Sequence, residues 1–347
     1  MPNRKTRLPD SAAGATVFLT YRALSEMIQT GTNHTNDLMK LTKLLFAIAF
    51  SIVGTAHGQI FVANYYLETI GEYTMSGATV NAALISLPGS ATALTWDGSG
   101  NLFVTRQDAN GVGQYTTSGT TVNPSLINGL NYPTGIAADG NGHLFVYSAG
   151  DWFGVIGEYT TSGETVNASL ITGAGSISTL AYDGNGHLFA SRSGNGPYNN
   201  DNVIAEYTTS GELVNASLVS GLNYPEGIAF DGNGDLFVVN SGSGTIGEYT
   251  TSGETVNASL VTGLTTPTAI AYDGNGHLFV ANGGTSTPGS SSILEYTTSG
   301  ARVNNFFISG VFGPVGIVVV PEPSSVVMTV LSFGSALFVW RSSGRRV

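Results

Sequence analysis

Beyond residue 58 the chain holds three histidines, His143, His187 and His277, and each directly follows an Asn-Gly pair. A reaction needs its base in one place, so an imidazole that recurs in register belongs to a repeat rather than to a catalytic centre. With no cysteine anywhere, a thiol nucleophile, a thiolate metal site and a disulfide framework are excluded. Neither a Gly-x-Ser-x-Gly elbow nor a phosphate-cradling P-loop is present. The acidic turns Asp-Gly-(Asn/Ser)-Gly at Asp97, Asp139, Asp183, Asp231 and Asp273 raise the question of calcium. That ion takes six to eight oxygens, whereas each turn offers one or two side-chain ligands, so structural hairpins and no cofactor are expected.

What remains is a scattered, non-repeated set: Tyr65, Tyr66 and Glu68; Arg106 and Asp108; Tyr132; Asp151, Trp152 and Phe153; Arg192, Tyr198 and Asp201; Tyr224 and Glu226. Aromatic faces beside carboxylates and amides suit sugar rings, whose apolar CH patches are edged with hydroxyls. Tyr65, Tyr66, Arg106, Asp108, Trp152, Phe153, Tyr198, Tyr224 and Glu226 are therefore the expected ligand-binding residues. The alternative is that these segments vary because nothing constrains them. Glu226 could also serve as one ligand of a lactonase-like metal, but no convincing partners for it can be named.

The elements that carry these residues follow from an internal repeat. Leu-Phe, or Ile-Phe in the first copy, recurs at Ile60, Leu102, Leu144, Leu188, Leu236 and Leu278, and Ile156–Leu170 reappears unchanged at Ile246–Leu260. Each unit holds four short strands, a to d, rich in small and β-branched residues and separated by Gly turns. In the unit around Asp231 they are Gly227–Phe230, Leu236–Val239, Ile246–Tyr249 and Thr255–Val261. Four antiparallel strands per period of about 42 residues mark a β-propeller blade. The first unit starts at strand b, and the missing strand a appears at the far end as Pro314–Val320. An all-β, six-bladed propeller over residues 59–320 is expected, closed by its C-terminal strand.

Alternation then puts the a–b and c–d turns on one face of the ring and the b–c and d–a loops, with the non-repeated residues, on the other. The Glu-Tyr pairs of strand c, such as Glu158-Tyr159 and Glu206-Tyr207, split across the blade: Tyr is expected between blades and Glu in solvent.

Composition agrees. Gly numbers 47 of 347 residues while charged residues are only 10%, which with 41% apolar residues rules out a disordered chain and points to many strands joined by turns. Between Gln59 and Val320 three arginines face nineteen acidic residues, a net of −16. Such a body repels phosphate backbones, so nucleic acid is excluded as a partner.

The ends read as addresses. Met39–Lys43 is a basic opening, an apolar run follows from Leu44 to Val53, and small residues precede Gln59, the plan of a secretory signal peptide over 39–58. Residues 1–38 then form a non-native or disordered extension, with Met39 the expected true start. At the other end Pro321-Glu322-Pro323 precedes an apolar stretch over 326–340, long enough to enter a membrane, and then Arg341, Arg345 and Arg346.

Residues 321–347 resemble the PEP-CTERM sorting domain of bacterial envelope proteins. That resemblance implies export, a transient inner-membrane anchor, cleavage by an exosortase, and delivery to the outer surface or the extracellular matrix. The Pro-x-Gly-Ile-Ala-x-Asp…Leu-Phe-Val pattern over 60–320 is similar to NHL-type propellers and to the streptogramin-lyase-like group. Lyases of that group use histidines near the central channel, and this chain has none outside the repeated turn position. The resemblances imply a surface or matrix binding protein for exopolysaccharide or an envelope partner. A lyase or lactonase, or a passive surface spacer, are the alternatives.

Overall fold

The computed structural model describes residues 58–150, 154–194, 201–283 and 290–321, leaving aside the side chains of residues 305 and 306. The signal peptide, the segment 1–38, the sorting residues Glu322, Pro323, Arg345 and Arg346, the apolar span 326–340, and Trp152, Phe153 and Tyr198 all lie outside the described residues. Among the described residues no helix is long and apolar enough to cross a membrane.

The described chain forms six four-stranded antiparallel sheets, each built from one repeat. Blade 1 combines Pro314–Val320 as its innermost strand a with Gln59–Asn64, Thr69–Thr74 and Thr79–Ser86. Blades 2 to 6 follow over 91–127, 133–172, 177–219, 225–261 and 269–309. The expected closure is present: Gln59 is registered with Val320, Phe61 with Val318 and Val62 with Ile317. A second contact seals the same seam. Gly77, in the c–d turn of blade 1, lies so close to the Phe307 carbonyl of blade 6 that a Cβ there could not be accommodated. The same turn glycine meets strand d of the preceding blade elsewhere, as Gly163 does at Leu126 and Gly253 at Leu218.

The recurring Leu-Phe pair has a direct physical reason. Strand b is buried on both sides, and alternation sends its neighbouring residues to opposite neighbours. Leu144 packs with blade 2 and Phe145 with blade 4; Leu236 packs with blade 4 and Phe237 with blade 6. The core is thus six wedges, one between each pair of adjacent blades, the sixth joining blade 6 to blade 1 through Ile60, Val62, Phe279 and Ile308. The strand c tyrosines join these wedges as expected: Tyr73, Tyr115 and Tyr159 are buried.

Their glutamate partners depart from expectation. Glu72, Glu206 and Glu295 are buried rather than solvated. Glu72 and Glu206, with the part-buried Glu158, are held from the start of strand b: Gln59 Nε2 donates to Glu72 at 2.5 Å, and His143 and His187 pair through Nδ1 with Glu158 and Glu206. A carboxylate drawn into a half-dry sheet needs such a donor, which is why a histidine recurs at this turn. His277 instead turns to Asp273, at 3.0 Å.

The turns themselves are self-sufficient hairpins. Asp139 Oδ1 accepts from the amides of Asn141 (2.7 Å) and His143 (2.9 Å), and Asp183, Asp231 and Asp273 repeat the arrangement. Gly140 and Gly142 sit at φ 72° and 101°, conformations that demand glycine.

Candidate functional site

Equivalent positions at the start of strand a occupy one level of the ring: the second strand residues Val315, Thr92, Thr134, Ser178 and Glu226 in blades 1 to 5, and Thr268, just before Ala269–Tyr272, in blade 6. Three of the threonines fasten neighbouring blades. Thr92 donates to the Pro133 carbonyl (2.7 Å), Thr134 to that of Ile177 (3.0 Å) and Thr268 to that of Pro314 (2.6 Å), each belonging to the next blade. Ser178 turns within its own blade to Ser193 at 2.8 Å. Glu226 breaks the series by placing a carboxyl where four of its five counterparts place a hydroxyl and blade 1 places Val315.

Strands a from all six blades line a central cavity of about 310 Å³. Its wall is alanine, leucine, isoleucine, valine and glycine with hydroxyls from Thr92, Thr95, Ser178, Thr179, Tyr182 and Thr268, and Glu226 is the one carboxylate in it. Burial pushes the Glu226 pKa up to about 7, opposed by a hydrogen bond from the Ser241 side chain. The group is therefore divided between acid and carboxylate at neutral pH. Gly227, the next residue, keeps the strand within reach of blade 6: a Cβ there would meet Ala269 and Ile270 at 3.1 Å.

Glu226 stands at the end of strand a where the b–c and d–a loops open. Tyr224, two residues earlier, is 39% exposed, and Tyr132 at the matching position of blade 3 is 55% exposed. Both lie in the left-handed region at φ 51°. The same position in blade 1 is Gly313, φ 58°, and a Cβ there would collide with the ring of Tyr66, which covers it from the b–c loop. Tyr66 is 44% exposed and stacks edge-on against Tyr65 at 5.1 Å and obliquely on Phe312 at 4.9 Å. An aromatic ring thus crowns blades 1, 3 and 5.

Other expected binding residues serve the scaffold. Arg106 is buried, its guanidinium donating to the carbonyls of Pro88, at 2.8 Å, and Pro124. It fastens its loop and offers no free charge to solvent. Asp108 is exposed and accepts from the Ser90 amide at 3.3 Å. Arg192 is tied to Asp201 at 3.4 Å. Sequence reasoning overlooked Phe312, Ser241 and the ring of hydroxyls. The hydroxyls carry a signal after all, because strand a reads Pro-Thr in blades 3 and 6 and Pro-Glu in blade 5.

The family model for the Virginiamycin B lyase family matches residues 44–331, most of the chain. The chain belongs to the virginiamycin B lyase family. No curated protein matches it. Among solved structures, the nidogen–laminin complex gives a TM-score of 0.60 at 15% identity, over 76% of this chain and 98% of that one. A protein of unknown function from Bacteroides caccae gives 0.57 at 15%, over 77% and 100%. A gluconolactonase from Xanthomonas campestris gives 0.51 at 15%, over 67% and 78%. At this identity these likenesses concern the fold alone. In this member of the virginiamycin B lyase family the channel-level residues include no histidine. His143, His187 and His277 sit at the a–b turns on the opposite face, held by carboxylates. Among the described residues no group of three or more His, Cys, Asp or Glu side chains could hold a metal ion.

Proposed function

We propose that the protein is an exported, PEP-CTERM-sorted binding propeller that holds exopolysaccharide, or another envelope component, on its b–c and d–a loop face. Processing by an exosortase and a transient anchor through 326–340 are part of this reading and rest on the sequence of the two ends. The observation that carries the binding role is the concentration of departures from the repeat on one face. Exposed tyrosines and a single cavity carboxyl stand there on a scaffold that is otherwise copied six times. Variable loops on a rigid frame are the usual seat of recognition.

Thermal unfolding with and without polysaccharide extracted from the producing cells tests it. A ligand that binds only the folded chain stabilises it by about 2.7 kcal/mol at a hundredfold excess over its Kd. An upward shift supports the reading, and an unchanged transition across the saturating range rejects it.

One observation favours a second reading. In a lyase a base takes a proton from carbon, the electron pair forms a double bond, and a leaving group departs without water. Glu226, poised near neutrality in a hydroxyl-lined cavity, could be that base. A metal-dependent lactonase is less well supported, because the described residues offer Glu226 no carboxylate or histidine companions in the cavity. Incubation with virginiamycin B decides the lyase reading: turnover that E226Q abolishes supports it, and an intact substrate rejects it.

A further inference from the structure

We propose that Tyr132, Tyr224 and Tyr66, one each on blades 3, 5 and 1, are stacking platforms for the pyranose rings of a neutral polysaccharide lying across the channel mouth. The proposal rests on the glycan-binding reading above and names its subsites.

The first observation is conformational. A left-handed φ strains any residue with a Cβ, and for a bulky side chain it is a true outlier. The fold itself accepts glycine at this site, since Gly313 holds it in blade 1. Tyr132 and Tyr224 are nevertheless there, at φ 51° in both blades, each with a substantial part of its surface open to solvent. Their backbones are fully used. The Tyr132 amide donates to Asn110 Oδ1 (3.3 Å) and the Tyr224 amide to Asn202 Oδ1 (3.2 Å), while their carbonyls accept from Ala149 and Ser241. Turn geometry therefore explains the left-handed residue but not the aromatic ring on it. Thr266 holds the same left-handed conformation, φ 42°, at this position of blade 6, so the backbone shape belongs to the fold and what is particular to blades 3 and 5 is the exposed aromatic ring placed on it.

The second observation is substitution by a different route. Where blade 1 has glycine, a ring reaches the same place from the b–c loop, Tyr66 lying over Gly313 and braced by Phe312. Two unrelated local solutions thus deliver one aromatic face to the same level on alternate blades. Blades 2 and 4 have Gly-Ser before strand a, and blade 6 has Thr266. Three separated rings with gaps between them fit a chain of rings that touches at intervals better than one compact molecule.

Charge selects the polymer. The only arginines of the loop face, Arg106 and Arg192, are engaged by carbonyls and by Asp201, and residues 59–320 carry a net of −16. An anionic polysaccharide would be repelled. Hydroxyl-rich neutral rings can stack on tyrosine and meet Glu226 and the channel hydroxyls with their edges.

Titration of the protein with neutral and acidic fractions of polysaccharide from the producing cells, and with dextran, laminarin, galactomannan and alginate as defined probes, tests this. A neutral polymer should bind. Y132G and Y224G should each weaken it by about tenfold, whereas Y224F should stay within about threefold. Their melting temperatures should hold or rise by about 2 °C, since glycine relieves the left-handed strain and gives back part of the gain to the unfolded chain. Equal binding by the glycine variants overturns the platforms while leaving the glycan reading standing. So does a melting temperature lowered by several degrees, which would make the rings part of the core. Preference for alginate overturns the neutral ligand. Failure of the wild-type chain to bind any of these polymers overturns the glycan reading, and the platforms with it.

Discussion

The two faces of this propeller are made from the same repeat and treat it in opposite ways. On the a–b turn face the blades solve their turns locally. In blades 2 to 6 an aspartate caps two amides of its own hairpin and glycines take the positive φ angles, and in blades 1, 3 and 4 a glutamine or histidine meets the glutamate of strand c. Departures are few and conservative in shape. On the b–c face tyrosines sit in left-handed backbone, a buried arginine donates to backbone carbonyls, and a glutamate replaces a hydroxyl that elsewhere fastens blade to blade. One face is optimised for folding and the other accepts its cost. Local conflict of this kind marks the part of a structure shaped by something other than stability.

If that contrast holds, removing a loop-face group should stabilise the fold and removing a turn-face group should weaken it. Glu226 gives the largest effect. Its carboxyl has a folded pKa of about 7 against an ordinary value of 4.5. Between those values the folded chain binds more protons than the unfolded chain, so stability falls as pH rises from about 4.5 to 7 and levels off above. The loss attributable to this one group is about 3 kcal/mol. E226Q should abolish that part of the slope and leave the chain more stable than wild type at pH 8. Urea unfolding of both at pH 5, 6, 7 and 8 measures it as a difference, so that other carboxyls cancel. Parallel pH profiles for the two proteins would mean that Glu226 is not strained in the channel, and the contrast would lose its strongest member.

On the turn face the sign reverses. Asp139 Oδ1 accepts from two backbone amides at 2.7 and 2.9 Å, and alanine leaves both to the solvent that can reach them. D139A should lose about 1–2 kcal/mol, read as a lower urea midpoint, with binding of polysaccharide unchanged. A calcium-dependent loss would instead assign these turns to an ion. A variant as stable as wild type would show that the hairpin is held by its glycines alone.

This asymmetry also explains what could be read from the sequence. Fold signals are local and repeated. Leu-Phe at a fixed spacing, Asp-Gly-Asn-Gly turns and an orphan Pro314–Val320 strand lead to six blades and their closure, because each reports burial or φ that the residue type itself requires. The site is legible only in part. Tyr66, Tyr224 and Glu226 stand out as non-repeated and do lie on the loop face. The same criterion also picks Arg106, whose long side chain bends back into its own blade, a matter of packing that residue type does not reveal. The strand c glutamates were misplaced for a related reason. Alternation assigns them the face away from the tyrosine, but on that face His143 or Gln59 waits diagonally across the sheet, and only the register shows it. Phe312 was invisible because its role depends on a ring from the opposite end of the chain.

The smallest effect sharpens the comparison within the turn face itself. Blade 5 has Asp235 where blades 3, 4 and 6 have histidine. There the strand c glutamate, Glu248, meets no donor at that position. Burial pushes its pKa up, and the carboxylates of Asp235 and Asp231 push it further in the same direction. A raised carboxyl pKa means stability that is lost as pH rises through it, so blade 5 should be the weakest of the repeated hairpins at neutral pH. D235H restores the arrangement in which His143 and His187 meet Glu158 and Glu206. It removes one like charge and supplies a donor. The expected gain at pH 7 is about 0.5 kcal/mol, typical of an exposed pair. It should shrink in 1 M salt, where the Debye length falls to about 3 Å. Amide hydrogen exchange in 235–250 should slow by about twofold, the same free energy read locally. A gain that persists undiminished in high salt would come from packing of the imidazole, and the recurrence of histidine at this turn would then have a steric rather than an electrostatic cause.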